Sequence, residues 1–138
     1  MKEKVLLDTN FLVAPFQFSF DLFEELERLY PNTQVYTLDD AVQEAKSIRG
    51  GKYKDLVEQL IEKKDIEVLE TEDEEPSSSG TVEGEGEVDD LIVDISDEFI
   101  VGTNDKELKQ RLLDDSRPVL IIRTGDHLEV INRRAHNL

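Results

Sequence analysis

Four acids stand where a fold of alternating strands and helices would gather them: Asp8, Glu44, Asp90 and Asp105. Asp8 directly follows the apolar run Val5-Leu6-Leu7. A carboxylate at the end of a buried strand is costly to place without a partner such as a metal ion. The competing reading is a turn cap that accepts backbone N–H bonds, as Asp often does. Glu44 lies in a segment whose apolar face is Ala41, Val42, Ala45 and Ile48. On a helical wheel it sits only about 40° from Ile48 and about 60° from Ala41, flanking the stripe that must face inward. Asp90 follows Asp89 at the start of a helical pattern, where Asp also serves as an N-cap. Asp105, in Gly102-Thr103-Asn104-Asp105, begins another helix and has the same ambiguity, with Thr103 or Asn104 as the alternative cap. Several carboxylates brought to one crevice would repel one another and be driven toward protonation. A hard dication removes that penalty, and all-oxygen donors suit Mg²⁺ or Mn²⁺.

The elements that would position these acids can be read from periodicity. Short apolar runs at Lys4–Leu7, Gln34–Thr37, Ile66–Leu69, Phe99–Gly102 and Pro118–Ile122 read as strands, and Leu128–Ile131 adds a short terminal one. Between them lie helical patterns at about 19–29, 38–48, 52–63, 89–96 and 105–114. The first carries Leu22, Phe23, Leu26 and Leu29 on one face; the third turns Leu56, Leu60 and Ile61 inward. Thr37 is expected to cap the helix over 38–48, with Asp39 and Asp40 in its first turn and Gly50-Gly51 at its end. Alternating short strands and helices predict a three-layer α/β/α domain with a central parallel sheet of about five strands. In such sheets chemistry collects beyond the carboxyl ends of the strands.

A length of 138 residues suits a single domain spanning the chain. Residues 71–87 hold seven acids, one Pro and a single apolar residue, Val82, and read as a flexible acidic loop. The absence of cysteine excludes disulfides, thiolate catalysis and cysteine-based zinc sites. No apolar run approaches the roughly 18 residues of a membrane span, and the start lacks a signal peptide's apolar region. The expectation is a soluble, cytoplasmic protein with no membrane partner and no organic cofactor. A formal charge of −17 argues against phosphate-rich partners unless a bound dication intervenes.

In order along the chain, four segments resemble the PIN-domain ribonuclease family. Leu6-Leu7-Asp8-Thr9-Asn10-Phe11-Leu12 resembles its opening strand and turn, and Ala41-Val42-Gln43-Glu44-Ala45 looks like its helical Glu. Val88-Asp89-Asp90-Leu91-Ile92 resembles the segment that provides its third acid, and Val101 to Leu108 its last strand-end motif. The resemblance implies metal-dependent cleavage of RNA phosphodiesters by metal-activated water, leaving a 5′-phosphate and a 3′-hydroxyl. It makes Asp8, Glu44, Asp90 and Asp105 the catalytic, metal-binding acids, with one or two Mg²⁺ or Mn²⁺ ions. Asp90 is preferred to Asp89 as the second position of the family's double-Asp variants. Asn10, Thr103 and Asn104 become supporting or phosphate-orienting groups. The spacing and the run from Asn104 to Leu112 look more like archaeal PIN proteins related to the small-subunit pre-rRNA processing nuclease than like toxin ribonucleases of toxin–antitoxin pairs.

Lys46, Arg49, Lys52 and Lys54 form an acid-free basic stretch suited to RNA phosphates, or to a solvated helix end. Arg123, Arg133 and Arg134 are a weaker version of it. Phe11, Phe16, Phe18, Phe20 and Phe23 suggest core packing; the alternative is a patch that joins two copies or holds a protein partner. Two other functions compete: a non-catalytic PIN scaffold or RNA-binding module in a larger assembly, and a phosphoacceptor domain with Asp8 as nucleophile. The second lacks an acid pair at residue 8 and has Arg123 where such domains place Lys.

Overall fold

Val5, Leu6 and Leu7 are apolar toward both faces of the chain and almost wholly buried, and the sheet is built outward from them. The computed structural model describes residues 3–18, 21–70, 85–124 and 126–132, with side chains from residue 90 onward in the third stretch. In chain order the elements are β1 (Lys4–Leu7), α1 (Thr9–Gln17), α2 (Leu22–Leu29), β2 (Gln34–Leu38), α3 (Asp39–Ser47), α4 (Lys54–Lys63), β3 (Glu67–Leu69), α5 (Glu85–Ile95), β4 (Ile100–Gly102), α6 (Lys106–Asp114), β5 (Val119–Arg123) and β6 (His127–Ile131). Single 3-10 turns follow α3 at Ile48–Gly51 and α5 at Ser96–Glu98.

The strands form one sheet in the order β3-β2-β1-β4-β5-β6. The first five are parallel, as predicted, and β6 returns antiparallel to β5. Leu7 stands level with Thr37 of β2 on one side and with Gly102 of β4 on the other. α1, α3 and α4 pack on one another as one helical layer; α5 and α6 pack together in the other, and α2 lies against β6. At that last contact the Leu128 amide donates to Glu25 Oε1 at 3.1 Å. Among the described residues no helix is long and apolar enough to cross a membrane.

Several local expectations are corrected. Residues 9–17 form α1, which periodicity did not indicate. Phe11, Leu12, Val13 and Ala14 are buried in succession, so no polar face alternates with an apolar one, and Pro15 sits inside the helix. Thr37 does not cap α3: it ends β2's buried face, and its hydroxyl donates to the Leu7 carbonyl at 2.8 Å. Leu38 is the N-cap instead, without a side-chain bond. The helix predicted from residue 19 is α2, which starts at Leu22 because Asp21 caps it, accepting from the Phe23 and Glu24 amides at 3.1 Å each. In α4 the buried residue is Val57; Leu60 and Ile61 pack partly against the core, while Leu56 is exposed.

α5 begins at Glu85, so residues 85–87 of the predicted acidic loop are helical. Once nucleated by the apolar stripe from Leu91, a helix extends at little cost. The rest of that loop, residues 71–84, lies outside the described residues, as do Phe20, Arg133, Arg134 and the Asp89 side chain. Of the other phenylalanines, Phe11 is core, Phe16 and Phe23 pack against it, and Phe18 is exposed.

Candidate active site

β1 and β4 are neighbours at the centre of the sheet, and the strand order runs away from them in opposite directions. The loops leaving such a pair must part, one to each face, which opens a crevice at their carboxyl ends. Asp8 follows β1 and Thr103 follows β4. The Asp8 amide donates to the Gly102 carbonyl at 3.0 Å, and the Thr103 amide to the Leu120 carbonyl at 3.0 Å. Both residues are therefore held in line with the sheet.

Glycine at 102 is required by close packing. A β-carbon there would stand 2.8 Å from Phe11 Cε2, so the ring that anchors α1 occupies the space a side chain would need. Phe11 is only three residues beyond Asp8, and its seat on β4 ties the two strand ends together.

From Asp8 a row of hydrogen bonds runs both ways. Its Oδ1 accepts from the Thr9 amide at 2.8 Å, which caps α1. Its Oδ2 accepts from the Thr103 hydroxyl at 2.6 Å. Thr103 Oγ1 in turn accepts from the Asp105 amide at 3.0 Å, while Asp105 Oδ1 caps α6 by accepting from the Leu108 amide at 2.9 Å. On the other side the Thr9 hydroxyl donates to Glu44 Oε1 at 3.1 Å. Glu44, Asp8 and Asp105 are thus joined through two threonines.

Asp8 is 7% exposed. Burial pushes its carboxyl above the usual range, the bonds from Thr103 and Thr9 pull it back, and the charges of Asp105 and Glu44 push it up again. Among the described residues, none of these three acids has a Lys, Arg or His ion-pair partner. The capping readings of Asp8 and Asp105 are correct as local chemistry. A capping carboxylate oxygen keeps lone pairs to spare, so capping does not exclude a cation.

Asp90 is placed differently. It lies exposed on α5 and forms an ion pair with Arg111 of α6 at 2.9 Å. The structure brings together three of the four predicted acids and gives the fourth a cation of its own. Among the described residues, no three His, Asp or Glu side chains stand close enough to form a ready metal shell. The donor set still fits a hard dication: it is all oxygen, mutually repelling and partly desolvated.

Of the predicted supporting groups, Thr103 is buried and bonded to Asp8. Asn104 is engaged elsewhere, since its Nδ2 donates to the Ile122 carbonyl at 3.1 Å and its Oδ1 accepts from the Ile122 amide at 2.9 Å. Both ends of that side chain prolong the β4–β5 pairing, which fixes its orientation and leaves one Nδ2 hydrogen for another partner. Asn10 is exposed in the first turn of α1. Among the basic residues, Lys46 pairs with Glu58 at 2.8 Å and Lys52 lies 5.6 Å from the Tyr53 ring centroid. Arg49 and Lys54 are exposed, Arg49 at a left-handed backbone position with φ 55°. Thr9, which links Asp8 to Glu44, is not singled out by the sequence reading; its signal is its place between Asp8 and Asn10, which puts a hydroxyl on the first turn of the helix that Asp8 caps.

The family model for a PIN like domain matches residues 5–125. Twelve solved chains are similar in structure. One, the PIN domain endonuclease Utp24, is 26% identical, with a TM-score of 0.69 over 94% of this chain and 91% of that one. No curated protein matches the sequence.

Proposed function

This chain belongs to the PIN-like domain family, and from that premise we propose that it is a metal-dependent endoribonuclease acting in RNA processing. The carrying observation is the buried Asp8 at the centre of the sheet, joined to Glu44 and Asp105 and facing no basic side chain among the described residues. The likeness to the endonuclease Utp24 supports a nuclease, and ribosomal RNA as substrate rests on the resemblance of the sequence motifs to PIN proteins related to the small-subunit pre-rRNA processing nuclease.

Mg²⁺ or Mn²⁺, when bound, supplies a water of lowered pKa and positive charge opposite the phosphate. Asp8 and Asp105 are the residues that would hold it, their oxygens fixed by Thr9, Thr103 and the Leu108 amide. Glu44, exposed and steadied by Thr9, is suited to orient a nucleophilic water or add a further donor. Asp90 would join after leaving Arg111, an exposed pair of the kind worth only about 0.2–1 kcal/mol. Arg49, Lys52 and Lys54 remain candidates for RNA phosphates, and Lys46 would first have to leave Glu58.

The test is cleavage of structured RNAs with Mn²⁺ by wild type beside Asp8→Asn and Asp105→Asn. Products from the wild type that both variants lack support the proposal; equal products from all three sink it. The strong negative charge favours a second reading, a non-catalytic PIN module. Calorimetric titration with Mn²⁺ separates the two, because such a module has no need to bind the ion.

A further inference from the structure

We infer that a cleft beside the carboxylates seats one unpaired RNA base, stacked on Phe18 and held at its edge by Asn10 and Gln17. The inference rests on the ribonuclease reading and goes beyond it by naming the single-stranded base as the group recognised next to the cut.

The cleft has a volume of about 170 Å³ and is lined by Asn10, Gln17, Phe18, Asn104 and Ile122. Two of its lining residues are chain neighbours of the carboxylates: Asn10 is two residues beyond Asp8, and Asn104 immediately precedes Asp105. Asn10 and Gln17 are seven residues apart on α1, on one face and separated by about 10 Å along the helix. The cleft therefore leads away from the carboxylates along the helix that Asp8 caps.

Its chemistry selects the ligand. No lining side chain carries a charge, so the cleft lacks the Lys and Arg that make the strongest contacts to a phosphate. Phe18 is 43% exposed, a large aromatic face left in solvent in a chain whose other described phenylalanines are buried or partly buried. Among the described residues the Asn10 and Gln17 side chains make no hydrogen bond, and each carries a donor and an acceptor. An aromatic face with two amides at its rim complements the face and edge of a nucleobase. Asn104, held by Ile122, forms a fixed wall. The volume is below the roughly 300–1,000 Å³ of sites for drug-sized ligands, which suits a single base rather than a whole nucleotide. A paired base has its edge and both faces occupied, so the base must be unpaired.

The experiment uses the full chain carrying Asp8→Asn, ¹⁵N-labelled and free of divalent metal so that RNA stays intact; the wild type in chelator replaces it if that variant does not fold. A short unpaired RNA is titrated in, together with a set of the same oligonucleotide carrying one abasic position at a time. The side-chain amide signals of Asn10 and Gln17 are expected to shift with RNA. Phe18→Ala should weaken binding about 5- to 150-fold, the range for loss of one stacked base, and Phe18→Tyr should restore it. One abasic position should reproduce the loss and add little to Phe18→Ala. Unchanged affinity in Phe18→Ala, or silent Asn10 and Gln17 signals, overturns the inference. A separate arm measures cleavage by wild type with Mn²⁺: binding in the cleft without cleavage overturns the enzyme and keeps the base site, whereas cleavage indifferent to Phe18 does the reverse.

Discussion

Asp8 and Asp90 both belong to the set of acids that the sequence singles out, yet the fold treats them oppositely. Asp90 stands on an outer helix, exposed, with the Arg111 guanidinium against it. Asp8 stands at the middle of the sheet, buried, with two threonine-linked acids as its neighbours. A surface acid can be answered by any long basic side chain from a nearby helix. An acid at the end of a central parallel strand is out of reach of such side chains, and hydroxyls and backbone amides take their place. The first arrangement is neutral by itself; the second gathers negative charge with no ion-pair partner among the described residues.

Removing the buried acid should have the largest effect. Asp8→Asn is expected to lower Mn²⁺-dependent cleavage by more than about 100-fold, above what loss of a supporting contact around a metal causes. If Asp90 joins the metal, Asp90→Asn will fall alongside it; activity within a few-fold of wild type would confine Asp90 to its arginine. Thr103→Val comes next. It takes from a fully buried position both the donor to Asp8 and the acceptor for the Asp105 amide. A loss of about 1–3 kcal/mol by urea unfolding is expected, with about 10- to 100-fold in Mn²⁺ affinity.

The third prediction concerns pH. Folding raises the Asp8 carboxyl above its ordinary value, so the folded state favours the protonated form. Its contribution to stability is full below the ordinary carboxylate range and is lost as pH rises through the raised value. The metal-free wild type should thus lose melting temperature relative to Asp8→Asn over that interval, and Mn²⁺ should return it to the wild type alone. Parallel pH profiles for the two proteins would refute the charge account. The smallest effect is at Arg111: Arg111→Gln frees Asp90 and is expected to tighten Mn²⁺ binding by at most about fivefold, given what an exposed pair contributes.

The contrast between these acids also marks what the sequence could reveal. Asp8 and Asp105 were visible because each follows an apolar run, and a strand end is a local property. The parallel order was visible because strands alternate with helices. Arg111 as the partner of Asp90 was not, since the two meet only when α5 packs on α6. Likewise the Thr9–Glu44 bond spans 35 positions and depends on α1 meeting α3. α1 itself was hidden by a proline and by burial around most of its girth, which erase the helical pattern. Thr37 was misjudged because a threonine before two aspartates is a good cap in isolation, while the carbonyl of Leu7 on the next strand is the acceptor it finds.

The Asp8 and Thr103 amides are bonded to carbonyls of the two strands beside them, with consequences for how the crevice can loosen. Neither proton can reach solvent unless the middle of the sheet separates, and that is where most of the buried apolar surface meets. Deuterium should therefore enter these two positions only as fast as the whole domain unfolds, long after it has entered the α3–α4 turn. That end of the sheet would then have no soft mode of its own: it persists intact or vanishes with the domain.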